Sequence, residues 1–280
     1  MMPVQLRPGG EIDGARIVSS APFAKGNAAT LWRLELSDGR RAVAKMGPGM
    51  DLEAAMLRHL GMASTLPVPA VWHAAPDLMV MEYIEGGGRI GPAAERHAAE
   101  LLAALHGVTA PRYGFPYDTT IGPLPQPNPE MEDWPSFYGF RLLHMGGKAL
   151  AEGRVDAAFL SRIERLAARL PDLLGPCQSP ALIHGDVWGG NVLVGRDGRV
   201  AAFIDPAIHH ADPEVELAFT TLFGTFGETF FRAYGEIRPI RPGFHEVRRP
   251  LYLLYPLLVH VRLFGGSYSD QAGSILRRFA

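Results

Sequence analysis

Three oxygen-bearing side chains stand out by type and spacing in this 280-residue chain. Asp186 and Asn191 lie either side of a tight Trp188-Gly189-Gly190 loop, and Asp205 closes the next apolar run. A carboxylate that can take a proton, followed by two oxygen ligands for a hard cation, is the set that phosphoryl transfer from a nucleotide requires. His184-Gly185 follows the apolar pair Leu182-Ile183, which places Asp186 at a strand end facing a cleft. Residues 195–198 read as a hairpin turn, so the strand over residues 200–204 returns Asp205 to the side of Asn191. Asp186 is then the proton acceptor, and Asn191 and Asp205 are the ligands for Mg2+.

Two further groups fit the same chemistry. Lys45 ends the hairpin strand Arg41-Ala42-Val43-Ala44-Lys45, and Glu53 lies on a helix expected over residues 51–62, beside the stripe Leu52, Met56, Leu60. An ammonium there can bind the α- and β-phosphates of ATP while the carboxylate orients it. The segment over residues 21–28 is expected to be a loop covering those phosphates. It carries a single glycine, and Gly26-Asn27 supply the freedom for positive φ that lets backbone amides turn toward an anion.

The elements that must position these groups divide the chain in two. Strands are expected over residues 12–20, 29–36, 41–45, 71–73 and 78–83. Glu82 and Tyr83 then run into Gly86-Gly87-Gly88, a natural lobe boundary whose backbone can meet an adenine edge. Residues 1–84 read as a nucleotide-binding lobe and residues 85–280 as a catalytic and substrate lobe. The second lobe shows helical periodicity over residues 92–108, 134–152, 156–174, 214–226, 228–234, 244–263 and 271–279. Residues 109–133, rich in proline and glycine, are too long for a plain connector and are expected to be a functional loop. The fold class is α+β: a two-lobed, protein-kinase-like fold with a small antiparallel sheet and one main helix, then a larger, mostly helical lobe.

Bulk properties narrow the partners. A formal net charge of -2 gives no basis for a nucleic-acid or anionic-membrane partner. The single cysteine, Cys177, cannot form an internal disulfide or a cysteine cluster for zinc. The first residues lack an apolar secretory segment, and the run over residues 251–261 is too short to span a bilayer. A small-molecule partner and a cytoplasmic setting are expected. His209-His210 with Asp212 reads as a surface loop, since tight zinc coordination needs more ligands. Glu214 and Glu216 read as helix-start acids set against the dipole. Phe219, Phe223, Phe226 and Phe230 have helical spacing and are expected in the core.

The run His184-Gly185-Asp186-Val187-Trp188-Gly189-Gly190-Asn191, with Phe203-Ile204-Asp205-Pro206-Ala207, resembles the aminoglycoside-phosphotransferase-like kinases. Within them it is similar to the fructosamine (ketosamine) kinase family. The narrower likeness is carried by I-G-P-L-P-Q-P-N at residues 121–128 with Trp134 and Phe137, by Asp212, and by Leu263-Phe264-Gly265-Gly266-Ser267-Tyr268. It implies ATP-dependent phosphorylation of the 3-hydroxyl of a ketoamine, free or protein-attached, in deglycation. It also implies that Trp188 and His260 line the sugar pocket. Two departures stand out: family members carry a richer glycine loop, often with a cysteine, and the helix before Phe264 reads Leu258-Val259-His260-Val261-Arg262. An aminoglycoside, homoserine or choline kinase of the same fold, or an inactive nucleotide-binding protein, remains open as an alternative.

Overall fold

The computed structural model describes residues 6–25 and 29–280. Six strands build the first sheet: β1 (Glu11–Ile12), β2 (Ala15–Lys25), β3 (Thr30–Leu36), β4 (Arg41–Met46), β5 (Val71–Ala75) and β6 (Leu78–Glu82). Their order is β1-β2-β3-β4-β6-β5, antiparallel throughout. The strand expected over residues 12–20 differs in two ways. Asp13-Gly14, with φ of 48° and 77°, breaks off the short β1, and β2 runs on to Lys25 through residues expected to be loop. The expected phosphate-loop residues Gly26 and Asn27 lie outside the described residues.

The period-two alternation of β4 decides which way the site faces. Ala42 and Ala44 pack with Ile17, Leu34 and Val80 on one side of the sheet. Val43 points to the other side, onto Met50, Ala54 and Leu57 of helix α1 (Met50–Ala63), and Lys45 shares its parity. Gly49, at φ 77°, lets the chain turn from β4 into α1 where a side chain would be strained. The buried stripe of α1 is Ala54, Met56, Leu57 and Leu60, while Leu52 is only half-buried. Met56 and Leu60 pack into the core of the helical part, so α1 ties the two parts together.

The helical part begins after an irregular segment with α2 (Pro92–Leu105), which has proline in its first turn, where the missing amide costs nothing. Residues 109–133 are not a plain loop, because they contain the hairpin of β7 (Thr119–Ile121) and β8 (Leu124–Gln126). Helices α3 (Trp134–Ala151) and α4 (Ala157–Leu174) follow, capped by Asp133 and Asp156, whose carboxylates accept from Ser136 and Phe159 amides. Four short strands come next: β9 (Ala181–Ile183), β10 (Val192–Val194), β11 (Val200–Phe203) and β12 (His209–Ala211). β10 pairs with β11, and β12 with β9. Helices α5 (Glu214–Leu222) and α6 (Glu228–Ile237), a π-helical turn at Phe244–Arg248, α7 (Arg249–Phe264) and α8 (Ser267–Phe279) complete the chain. No helix among the described residues is long and apolar enough to cross a membrane.

Two expectations are corrected here. His209 and Asp212 are not on a surface loop: His209 is buried in β12, and Asp212 is buried against Arg241, 2.6 Å away. Glu214 starts α5 as expected, yet it is buried and bonded by Arg241 and Arg248, so ion pairing compensates a desolvation that a dipole alone would not. The aromatic run also divides. Phe219, Phe226 and Phe230 are buried, but α5 ends at Leu222 and Gly224 turns the chain at φ 62°, leaving Phe223 exposed.

Candidate active site

Lys45 and Glu53 meet as the alternation of β4 requires. The Lys45 ammonium lies 2.7 and 2.8 Å from the two Glu53 oxygens and 2.9 Å from Asp205 Oδ1. Burial alone would push Lys45 down, but the Glu53 and Asp205 carboxylates outweigh it and hold the ammonium above its ordinary value. Glu53 is pushed up by burial against the opposing pull of Lys45. Lys45 thus joins a residue of the sheet, one of α1 and one of the distant β11–β12 connection.

Asp186 follows β9 at the mouth between the two parts. Asn191 Nδ2 donates to the Asp186 main-chain oxygen and to Asp186 Oδ2, both at 2.9 Å. Those bonds use the amide nitrogen and leave the Asn191 oxygen for another partner. The Ile204 amide donates to the Asn191 carbonyl at 3.1 Å, so the hairpin brings Asp205 back beside Asn191. Burial is the main cause that raises the Asp186 carboxyl to about 7, opposed by the Asn191 bond and reinforced by Asp205. A carboxyl balanced near neutrality suits general-base work. The Asn191 oxygen and the second oxygen of Asp205, whose side chain is 44% exposed, form a donor set suited to a hard divalent cation.

The backbone is shaped to hold these groups together. Asp205 has φ 55°, one of two non-glycine residues in the left-handed region among the described residues, a conformation that costs about 1 kcal/mol for an L-residue. Gly185 has φ 86°, and a Cβ there would come 2.2 Å from the Ala207 carbonyl oxygen. The Ala207 amide in turn donates to the His184 carbonyl at 2.7 Å. Gln126 of β8 donates to the Ala207 carbonyl at 3.0 Å and accepts from the Tyr255 hydroxyl at 2.9 Å. The proline-rich stretch therefore buttresses the Asp205 segment from behind.

Several positioning groups are legible only in three dimensions. Buried Glu216 accepts from the Gly185 amide at 2.6 Å, the His184 amide at 3.2 Å and His106 Nε2 at 3.0 Å. Tyr234 completes the chain, 2.7 Å from His106 Nδ1. With the Tyr234 hydroxyl donating to Nδ1 and Nε2–H donating to Glu216, a neutral His106 satisfies every partner. Burial pushes Glu216 up, yet the His106 bond and the Gly185 amide outweigh it and hold the carboxylate below its ordinary value. The sequence signal was present: Glu216 sits inside the apolar run Val215-Glu216-Leu217-Ala218-Phe219, where an exposed helix-start acid is out of place.

The segment expected to meet adenine is partly occupied. The Glu82 amide donates to Ala70 O at 2.8 Å and the Tyr83 amide to Arg41 O at 3.0 Å, so neither is available to a ligand. The next amide, that of Ile84, has no hydrogen-bond partner among the described residues. Tyr83 carries Arg41 over its ring and Phe23 against its edge. Beyond the mouth, Gly88 donates to Val194 O at 3.0 Å, fastening the glycine segment to β10. Trp188 lies exposed on the other flank of Asp186, with its edge toward Phe223. His260 of α7 is half-buried and shares Phe223 as a neighbour. No group of three or more metal-ligating His, Cys, Asp or Glu side chains occurs among the described residues, and half-buried Cys177 is held above its ordinary value, at about 12, chiefly by burial.

Comparison with known proteins agrees with this arrangement. The family model described as fructosamine kinase matches residues 13–280. The Synechocystis protein named probable ketoamine kinase slr1563 is 37% identical over 233 residues, covering 81% of this chain and 77% of its own. The chloroplastic protein-ribulosamine 3-kinase of Arabidopsis thaliana is 35% identical over 241 residues, covering 82% and 72%. A solved Thermobifida fusca structure, provisionally assigned as a fructosamine-3-kinase, superposes with a TM-score of 0.84 at 33% identity over 95% of this chain and 96% of that one. The aminoglycoside phosphotransferase APH(4)-Ia shares the fold, with a TM-score of 0.66 at 18% identity over 95% and 96% of the two chains. The chain belongs to the fructosamine kinase family, whose members are ATP-dependent phosphotransferases acting on an alcohol group.

Proposed function

We propose that this protein transfers the γ-phosphoryl group of ATP to the 3-hydroxyl of a ketoamine, free or attached to a protein, with Asp186 as the base. The observation that carries this reading is the convergence of Asp186, Asn191, Asp205, Lys45 and Glu53 on one cleft. The sugar hydroxyl oxygen attacks the γ-phosphorus, the bond from that phosphorus to the β–γ bridging oxygen breaks, and the hydroxyl proton passes to the Asp186 carboxylate. ADP is the leaving group. Asn191, by donating to Asp186, keeps the receiving oxygens aimed and the proton affinity in range.

Lys45, oriented by Glu53, neutralises phosphate charge in this scheme. Mg2+ held by Asn191 and Asp205 would offset the charge that develops on the transferring group. The Asp205–Lys45 contact then marks where ligand and phosphates share one charge cluster. Residues 1–84 act as the nucleotide lobe and residues 85–280 as the catalytic and substrate lobe. Glu82 and Tyr83 frame the adenine site, and the Ile84 amide takes over the donor role that theirs cannot fill. Trp188 and His260 flank the sugar. We place this activity in the cytoplasm, in keeping with a chain whose single cysteine forms no internal disulfide.

The test is ATP turnover with ribulose- and fructose-derived lysine adducts, for wild type and Asp186→Asn. Turnover by wild type that falls about 10²–10⁴-fold in the variant is expected for loss of a general base. An aminoglycoside preferred over every ketoamine would sink the substrate assignment, and unchanged turnover in Asp186→Asn would sink the mechanism.

A further inference from the structure

Beside Asp186, three separate segments bring their aromatic rings into one band. Trp188 heads it; its amide donates to the Asp186 carbonyl at 3.1 Å, and its indole lies across Gly190, where a Cβ would meet it at 2.4 Å. Phe223 at the end of α5 follows, 6.1 Å from Trp188 between ring centroids and 5.3 Å from His260. His260 continues to Phe264 at 5.6 Å and Tyr268 at 4.8 Å. Gly265 and Gly266, at φ 65° and 63°, turn the chain so that Phe264 and Tyr268, 6.2 Å apart, flank the same histidine.

Two features set this band apart from ordinary surface. Trp188, Phe223 and Phe264 are 41%, 43% and 55% exposed, and while a single exposed aromatic is unremarkable, a contiguous set running from a catalytic loop calls for a ligand. The band also contains one oriented acceptor. His260 Nδ1–H donates to the Pro256 carbonyl at 2.7 Å, which in the neutral ring leaves Nε2 as a lone pair, and Nε2 has no hydrogen-bond partner among the described residues and is not sealed from solvent. Burial lowers the pKa of this ring and keeps it neutral. The nearby cation on α7, Arg262, is tied to Glu152 at 2.6 Å. A second cation, Arg154, stands beside the turn, its guanidinium 3.6 Å from where a Cβ of Gly265 would be, so the guest's charge is met by the rings and the neutral acceptor on the Phe223 side, where aromatic faces suit a cation.

We infer that Phe223, His260, Phe264 and Tyr268 form a subsite for the amine side of the acceptor: the protonated secondary ammonium and the first carbons of its carrier. The inference rests on the ketoamine reading above and deepens it, because a sugar over Trp188 beside Asp186 leaves its amine substituent facing this band. His260, standing where the sugar meets its amine, accepts from the ammonium at Nε2, the ammonium stacks on the Phe223 and Phe264 faces, and the carrier's methylenes cover the remaining ring surface. Selection then falls on the charge of the amine as well as on the sugar.

The test uses a fructose–lysine adduct and its N-acetylated form, which lacks the cation, with wild type, Phe223→Leu and Phe264→Leu. Leucine keeps the apolar surface and removes the ring face. Both positions are exposed, and circular dichroism checks the fold. Each variant is expected to raise KM for the cationic acceptor roughly two- to fivefold, with a smaller change in kcat and little change in KM for the acetylated one. Equal KM shifts for both acceptors, or none, overturn the subsite and leave the kinase reading standing. No turnover of any ketoamine by wild type overturns both.

Discussion

Replacing Glu216 by glutamine tests whether the catalytic loop is held from beneath. The wild-type carboxylate accepts three buried N–H groups, those of Gly185, His184 and His106. An amide can keep its oxygen toward only one side. In the best orientation it faces His184 and His106, and its NH2 then confronts the Gly185 amide. That leaves one buried donor unpartnered, at about 1–3 kcal/mol, and turns two charge-assisted bonds into neutral ones at about 1 kcal/mol each. The cheaper desolvation of a neutral side chain returns part of this, so a net loss of about 2–4 kcal/mol is expected from the same terms. The Gly185 amide immediately precedes Asp186, so the loop moves at the residue proposed as the base. A displacement on the order of 1 Å costs about 10²-fold in rate. Urea denaturation and steady-state kinetics at saturating ATP measure the two effects. Glu216→Asp keeps the charge and should recover part of both. A stability loss below about 0.5 kcal/mol, the range of a surface change, together with an unchanged kcat, would refute the reasoning.

Gly88→Ala puts a Cβ 2.1 Å from the Gly195 carbonyl oxygen and 2.8 Å from Val194, so the linker must lift off β10. A loss of about 1–3 kcal/mol is expected from such overpacking, with a higher KM for ATP; the stabilisation that Gly→Ala gives at an unstrained site would contradict it. Stability should also fall in mild acid. Burial holds His184 and His209 below the ordinary histidine value, so below about pH 6.5 the unfolded chain binds protons that the folded chain refuses, and stability drops as pH falls. Asp186, raised to about 7, and Glu53 and Asp212, also raised by burial, work in the opposite sense by taking up protons when folded, and so offset part of this slope. His209→Leu should flatten the slope between pH 6.5 and 5 by up to about 1.4 kcal/mol per pH unit; an unchanged slope in denaturation midpoints would count against this.

Much of the chemistry could be read from spacing alone. A hairpin has a fixed return, so Asp186, Asn191 and Asp205 had to meet once residues 195–198 were a turn. Period-two alternation and one short connection likewise determined that Lys45 would face the helix bearing Glu53. The two-lobed α+β architecture followed from where strand periodicity gives way to helical periodicity. These are local rules, and outside the broken first strand and the long stretch at residues 109–133 the chain follows them within a few residues of each expected boundary.

What local rules could not supply is the burial of charge and the fate of exposed rings. Asp212 read as part of a surface loop, and Glu214 and Glu216 as helix-start acids; only the arrival of Arg241, Arg248 and His106 from other segments makes their burial tolerable. Residues 109–133 read as a functional loop because nothing in them foretold a hairpin bonded to the Ala207 carbonyl. The amides of Glu82 and Tyr83 looked open to adenine until Ala70 and Arg41 supplied their acceptors. Phe223 kept the spacing of a core residue, and only the end of α5 at Leu222 turned it outward toward Trp188 and His260. Sequence alone determined that Asp186 would meet Asn191 and that Lys45 would face Glu53, since those geometries are set within single turns and one short connection. Tertiary structure decided what supports that site and what lies beside it, because both depend on contacts between separate elements, such as Asp212 with Arg241, 29 positions on, and His106 with Glu216, 110 positions on.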